Sequence, residues 1–227
     1  MSKSHTIRGY RNLKEATKGM TPKQKWEHYW TYYKAVTIAV IIGVILLGMF
    51  LYDILKPKAE SILDGAAINV TLGDEAYSYV TENILAPLGA GEGQIATVTY
   101  FHIADMSADH NAAYNYDEIM KLTAMIAAQS LDYLLMDEVA RDYYLKAANL
   151  IDLSSVLTDA QLDAIRDRLV YQEQGDGSSI PLAVDLTGTA FAAQCVMADD
   201  SLYIGFPGNT GRNDQIYPLL ECLINWE

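Results

Sequence analysis

The first feature of the hydrophobic pattern is a long apolar run, AVTIAVIIGVILLGMFL, from Ala35 to Leu51, which holds no charged residue. Only Asp53 interrupts its continuation to Leu55, and at ~1.5 Å per residue the stretch would be roughly 30 Å long as a helix. A core helix of a soluble domain would have a polar face, and this run has none before Asp53. The pattern therefore predicts one membrane-spanning helix that contacts lipid through residues 35–55.

The sequence around the run favours a retained anchor over a cleaved signal peptide. A signal peptide has its apolar region within about the first 30 residues and a small-residue cleavage site behind it. Here YDILKPKAE follows the run, without an Ala-x-Ala-like triplet. Thr21, Pro22 and Gln24 match the N-cap, N1 and N3 positions of a capping box. We expect the helix to begin at Pro22 and to end before Pro57, which lacks a backbone amide hydrogen.

Aromatic and charged residues predict the depth and the orientation of this helix. Five aromatic residues before the run are typical of an interfacial belt at headgroup depth: Trp26, Tyr29, Trp30, Tyr32 and Tyr33. Residues 1–34 hold eight basic and two acidic residues, whereas residues 57–227 hold seven basic and 26 acidic ones. By the positive-inside rule, the N-terminus should be cytoplasmic, and the acidic C-terminal part should lie outside the cell membrane.

Beyond the anchor, short apolar strands alternate with amphipathic helices. The expected strands cover residues 66–72, 96–103, 131–136, 180–186, 192–197 and 202–206. The expected helices cover residues 75–85, with Asp74 as N-cap, 116–129, 138–148 and 158–169, and a last helix carries the stripe Ile216, Leu219, Leu220, Leu223 and Ile224. This order predicts an α/β fold, in which one exocytoplasmic domain has a mixed, mainly parallel sheet flanked by helices.

The expected organisation has four parts. Residues 1–21 form a basic cytoplasmic tail, and residues 22–56 form the juxtamembrane and transmembrane helix. Residues 57–64 are a linker, and residues 65–227 form the exocytoplasmic α/β domain, a size suited to a single domain.

Several segments of this domain resemble extracellular solute-binding proteins of the type II periplasmic-binding fold. The segments that carry the resemblance are DYLLMD at 132–137, AANLIDLSSVL at 147–157, IPLAVDLTGT at 180–189 and LYIGF at 202–206. The resemblance covers residues 65–227 and implies a membrane-anchored, shortened relative with one reduced lobe. It also implies that the domain captures a solute.

Candidate ligand-binding residues follow from the expected sheet, because ligands of open α/β sheets bind outside the carboxyl ends of the parallel strands. These residues are Gly73, Asp74, Asp137, Glu138, Asp185 and Thr187. A helix cap or a turn is the alternative role for each of them, and Asp74 and Asp137 stand where caps are expected. Capture of a ligand predicts a concave apolar pocket rimmed by Asp74, Asp137 and Asp185.

Catalytic and metal-binding patterns are weaker. His102, Asp105, Asp109 and His110 combine imidazole and carboxylate groups, but their spacing matches no established ligand motif, so no metal and no cofactor are expected.

The glycines at 89, 91 and 93 follow a helix and precede a strand, the reverse of the order that binds phosphate. Cys195 and Cys222 lack the local patterns of a thiol enzyme, and either a disulfide or two buried thiols would suit them.

The acidic domain excludes nucleic acid as a partner, because it would repel a phosphate backbone. The first functional hypothesis is a non-enzymatic, membrane-anchored module that captures a small solute or a peptide. The second is a protein-interaction or scaffold subunit of a membrane assembly, with membrane-protein partners and no small ligand. A hydrolase that uses the segment from His102 to His110 is the third.

Overall fold

The computed structural model describes residues 18–55, 60–103, 112–147 and 149–226. The chain divides into two compact units, residues 1–58 and residues 59–227. The first unit contains the apolar helix, and the second contains the α/β domain.

Helix α1, Pro22–Leu55, begins as the capping pattern predicts. The Thr21 amide donates to Oε1 of Gln24 at 3.0 Å, and the Gln24 amide donates back to Oγ1 of Thr21 at 3.4 Å. Its segment Lys34–Tyr52 is long and apolar enough to cross a membrane, and none of that segment is buried. Trp26 and Trp30 stack on its surface, with ring centroids 6.0 Å apart.

The second unit alternates strands and helices. Its strands are β1 (Ser61–Ile68), β2 (Thr71–Leu72), β3 (Ile95–Phe101), β4 (Tyr133–Met136), β5 (Leu169–Glu173), β6 (Ser179–Asp185), β7 (Cys195–Val196) and β8 (Tyr203–Gly205). Its helices are α2 (Asp74–Thr81), α3 (Ala112–Ala127), α4 (Glu138–Ala147), α5 (Asp159–Ala164), α6 (Ala190–Ala193) and α7 (Ile216–Ile224). Strand β1 therefore takes in residues 61–64 of the expected linker.

Six strands form one mixed sheet in the order β3-β1-β4-β8-β6-β5. Strand β1 pairs in parallel with β3 and β4, whereas the pairs β4–β8, β8–β6 and β6–β5 are antiparallel. The sequence predicted a mainly parallel sheet, but three of the five strand pairs of this sheet are antiparallel. The reason is that β5–β6 is a hairpin and β8 returns between β4 and β6, and short connections of this kind produce antiparallel neighbours.

Alternate residues of the central strands supply two separate cores, one on each face of the sheet. Ala67 and Leu135 belong to one core with α2, α6 and α7, whereas Ala66 and Leu134 belong to the other core with α3 and α4. The sheet is therefore covered by helices on both sides. In α7 the predicted stripe is confirmed: Ile216, Leu219, Leu220 and Leu223 are buried, and Ile224 is partly buried.

Local predictions were wrong at three places. Gly73, not Asp74, occupies the N-cap of α2. Helix α5 ends at Ala164 and is followed by the strand β5, which the sequence pattern missed. Residues 192–197 include the end of the short helix α6 and the two-residue strand β7 in place of one long strand. For β5 and for residues 195–196, pairing with β6 and with β2 decides the structure over local periodicity, whereas the N-cap of α2 is displaced by one residue.

A partly buried ion pair, formed by Arg212 and the buried Asp132, joins the amino-terminal ends of β1 and β4. The Arg212 guanidinium donates to Oδ2 of Asp132 and to the backbone oxygen of Ser61. Asp132, only 6% exposed, also accepts from the Asp64 amide at 2.8 Å and from the Thr210 hydroxyl at 3.1 Å. Every contact here ties strand ends together, so we interpret this as a structural clamp.

Candidate functional site

The chain reverses its direction of winding at β1. It forms β3 on one side of β1 and then β4 on the other side. In open α/β sheets such a reversal separates the connections that follow neighbouring strands and leaves a crevice outside their carboxyl ends. A ligand-binding site is therefore expected at the carboxyl ends of β1, β3 and β4.

A cleft of about 610 Å³ lies at this edge of the sheet. Its lining comes from the segment after β1, from the carboxyl ends of β3 and β7 with the residues that follow them, and from α3 and α4: Asn69, Val70, Thr71, Tyr100, Phe101, His102, Ile103, Glu118, Val139, Val196, Met197 and Ala198. The volume is within the range of small-molecule sites, which are mostly apolar with a few polar groups. Exposed apolar side chains at this cleft include Val139 and Val196, which are 50% and 69% exposed.

Asn69 fixes the floor of the cleft. It has φ +58°, the left-handed conformation that Asn tolerates better than most residues. Its side-chain amide donates to the Ile103 oxygen at 2.9 Å and accepts from the Ile103 amide at 2.7 Å. Both polar groups of the Asn69 side chain thus hold the segment after β1 against the backbone of the segment after β3, and these bonds preform this part of the cleft.

Glu118 brings a carboxylate to the cleft from α3. Its Oε2 atom is buried and accepts no hydrogen bond from any described residue. His102 lies on the same lining, with an exposed side chain. The cleft therefore combines apolar walls with an acidic group and an imidazole.

Asp137 and Glu138 lie at the carboxyl end of β4. Asp137 is buried, and its Oδ1 accepts from the Ala140 amide at 2.9 Å, which is the N-cap contact of α4. Glu138 pairs with Arg141 at 3.0 Å, and its amide donates to Oδ2 of Asp199 at 3.2 Å. The alternative role as a helix cap thus accounts for Asp137.

Asp185 and Thr187 lie at the end of β6 on the same edge. Oδ1 of Asp185 accepts from the Thr187 amide at 2.8 Å, and the Thr187 hydroxyl accepts from the Leu202 amide at 3.1 Å. Tyr203 of β8 is opposite both Asp185 and Met136, so Asp185 and Met136 are separated by two strand spacings, roughly 10 Å. The Arg141 guanidinium lies 4.2 Å from the centroid of the Tyr203 ring.

Gly73 and Asp74 directly follow the small β2–β7 ladder, at the start of α2. The Gly73 amide donates to the Gln194 oxygen at 2.8 Å, and a side chain at Gly73 would come within 2.7 Å of that oxygen. None of the six candidate residues lines the cleft, so its rim is not formed by Asp74, Asp137 and Asp185. The structure brings four of the candidates to one edge of the sheet: Asp137, Glu138, Asp185 and Thr187. The other two, Gly73 and Asp74, form the start of α2.

Of the weak metal candidates, His102 lines the cleft, whereas Asp105, Asp109 and His110 lie outside the described residues. Within the part of the chain that the structure describes, no three His, Cys, Asp or Glu side chains are grouped as a metal ion would require. The expectation of no metal site remains a prediction.

Both cysteines are free thiols. Burial raises the pKa of Cys195 to about 12, and burial also raises the pKa of Cys222. Each thiol therefore stays protonated near neutral pH and is a poor nucleophile.

Sequence reasoning missed most of the cleft. Asn69 had a usable signal, because an Asn directly after an apolar strand is typical of a left-handed turn residue. Glu118, Val139 and Val196 had none, because a glutamate on an amphipathic helix and two exposed valines look like ordinary surface residues. Their convergence is a product of the tertiary fold.

Comparison of the chain with protein-family models, with curated proteins and with solved structures found no match.

Proposed function

We propose that this protein is a membrane-anchored, exocytoplasmic binding module that captures a small solute or a peptide without transforming it. The single observation that supports this proposal best is the cleft of about 610 Å³ at the carboxyl ends of β1 and β3. Its position next to the reversal of winding is where open α/β sheets bind ligands. The α/β fold, with a mixed sheet between helices, is compatible with a reduced lobe of the periplasmic-binding type.

The anchor in this proposal is α1, with the N-terminus in the cytoplasm. Eight basic residues before the apolar segment support this orientation, as does the excess of 26 acidic over seven basic residues after Pro57. Trp26 and Trp30 would lie at the cytoplasmic headgroups. The cleft would then open outside the cell.

Binding without a chemical reaction agrees with the properties of the thiols and of two carboxylates at the strand ends. The two thiols have raised pKa values, and each of the carboxylates Asp137 and Asp185 accepts a hydrogen bond from a nearby backbone amide. A binding role needs only a preformed concave surface, which the contacts of Asn69 supply.

The test is a thermal-shift screen of the full-length chain in lipid nanodiscs against solutes, short peptides and divalent ions. A captured compound should raise the unfolding temperature saturably, because it binds the folded state by preference. Trp226 is a suitable reporter, since it packs 5.1 Å from the Tyr79 ring and 5.7 Å from the Phe191 ring. A screen in which no compound gives a saturable shift would contradict the proposal.

A second candidate function is an interaction subunit of a membrane assembly. It is favoured by two pairs of exposed apolar side chains at helical spacing, Tyr116 with Met120 on α3 and Val139 with Tyr143 on α4. A photo-crosslinking residue at Met120 should then yield one defined adduct in intact cells, whereas the same residue at exposed Glu92 should not. Equal labelling from both positions would contradict this function.

A further inference from the structure

One side chain in the cleft has an unmet hydrogen-bonding requirement. Oε2 of Glu118 is buried, and none of the described residues donates to it. Leaving a buried acceptor without a donor costs about 1–3 kcal/mol, and more when the group is charged. A ligand that supplied the donor at this position would remove that cost on binding.

The nearest basic residue along α3 does not meet this requirement. Lys121 follows Glu118 by three residues, but its Nζ atom lies 5.2 Å from the centroid of the Phe101 ring. The ion pairs among the described residues include none between Lys121 and Glu118. Glu118, which lines the cleft, therefore has no neutralising partner from its own helix among the described residues.

Apart from the exposed His102 imidazole, the rest of the described lining is apolar or carries neutral polar groups. Tyr100, Val139 and Val196 present exposed apolar surface, and no lysine or arginine is among the described lining residues. Each end of the Asn69 side-chain amide already makes one hydrogen bond with the Ile103 backbone. A ligand with a carboxylate or a phosphate would find no fixed cation here, whereas a ligand with a cationic donor would find Glu118.

We infer that the cleft binds a ligand that joins a protonated amine to an apolar body. The amine pairs with the Glu118 carboxylate, and the apolar body packs against Val139 and Val196. This inference rests on the proposed capture function and names the chemical class of ligand for the same cleft. The excess of acidic residues in the domain also favours a cation over an anion during encounter.

The test compares 2-phenylethylamine with 2-phenylethanol and 3-phenylpropanoate, which share the apolar body and differ in the polar end. Affinity is measured by isothermal titration on the full-length chain in nanodiscs, with empty nanodiscs subtracted. Glu118→Gln keeps the size of the side chain and removes its charge. Glu92→Gln, on an exposed loop, is the matched control, and Lys121→Met tests the neighbouring cation.

We expect the amine to bind best and Glu118→Gln to weaken it by about ten-fold or more, as for loss of a charge-assisted hydrogen bond. Glu92→Gln should leave the affinity unchanged, and Lys121→Met should leave it equal or raise it. Since Glu118→Gln removes an unpartnered charge, its unfolding temperature should not fall, which keeps the binding result interpretable.

Two results would overturn the inference and leave capture standing: the alcohol or the carboxylate binding as well as the amine, or the amine binding equally to Glu118→Gln. If none of the three probes bound, the amine assignment would be overturned. The broad thermal-shift screen would then decide the capture function separately.

Discussion

At the scale of single residues, close packing between β1 and β4 leaves no room for a side chain at Gly65. A Cβ atom at this position would lie 2.1 Å from Cζ of Tyr133, a ring that is fully buried. The Tyr133 hydroxyl has no described hydrogen-bond partner, and burial raises its pKa above the ordinary range. Gly65 therefore makes space for an aromatic ring in the sheet.

Gly65→Ala should lower the free energy of unfolding by about 2–3 kcal/mol, because the added methyl group overpacks the core. Gly175→Ala is the matched control, since a Cβ there meets nothing within 4 Å. Urea unfolding of the full-length chain in nanodiscs, followed by fluorescence, measures both variants. Equal stability of the two would mean that β1 and β4 are not packed as described.

Cys195 gives a pH dependence at the same scale. Its pKa is raised from 9.0 to about 12 by burial, so above about pH 9 the unfolded chain loses a proton that the folded chain retains. The free energy of unfolding should therefore fall as the pH rises from about 9 towards 12. Cys195→Ala should lose stability less steeply between about pH 8 and pH 11 than the unmodified chain. Parallel curves would show that the thiol is not buried in the folded state.

At the scale of elements, much of the architecture followed from the sequence. The capping residues Thr21 and Gln24 gave the start of α1, and the apolar periodicity located β3, β6 and α7. These elements are predictable because their own periodicity or caps agree with the fold.

The structure of other segments is decided by contacts with neighbouring segments and not by their own sequence pattern. Strand β5, an edge strand, exists by pairing with β6, and α6 is a four-residue turn capped by the Thr189 hydroxyl. The cleft is a stronger example, since its residues come from segments between 69 and 198 in the sequence. Local periodicity carries no information about such convergence.

The clamp between the amino ends of β1 and β4 can be tested by Arg212→Met. The substitution leaves the buried Asp132 carboxylate without its cation. Because the Arg212 side chain is 35% exposed, solvent screens the pair, and we expect a loss of about 1–3 kcal/mol, less than for a fully buried pair. Arg166→Met removes a comparable pair with Asp163, but both partners are well exposed, so the loss should be below about 0.5 kcal/mol. Urea unfolding compares the two variants, and a similar small loss for both would contradict the structural role of the clamp.

At the scale of the whole molecule, the chain has two units with different surfaces. The apolar helix is long enough to cross a membrane, and the acidic α/β domain has two cores of its own, on opposite faces of its sheet. The cleft belongs wholly to the domain. Our proposal is that the anchor holds the domain at the outer surface of the cell membrane and that the cleft captures a ligand outside the cell.

The most direct test of this account is the affinity of a cleft-blocked variant. Ala198 is exposed on the lining of the cleft, so Ala198→Trp should fill part of the cleft, whereas Ala124→Trp puts the same side chain on the exposed surface of α3. Titration in nanodiscs would use the compound that most raises the unfolding temperature in the screen. The account predicts that Ala198→Trp weakens binding by about ten-fold or more and that Ala124→Trp leaves it unchanged. Equal affinity of both variants for that compound would contradict capture at this cleft.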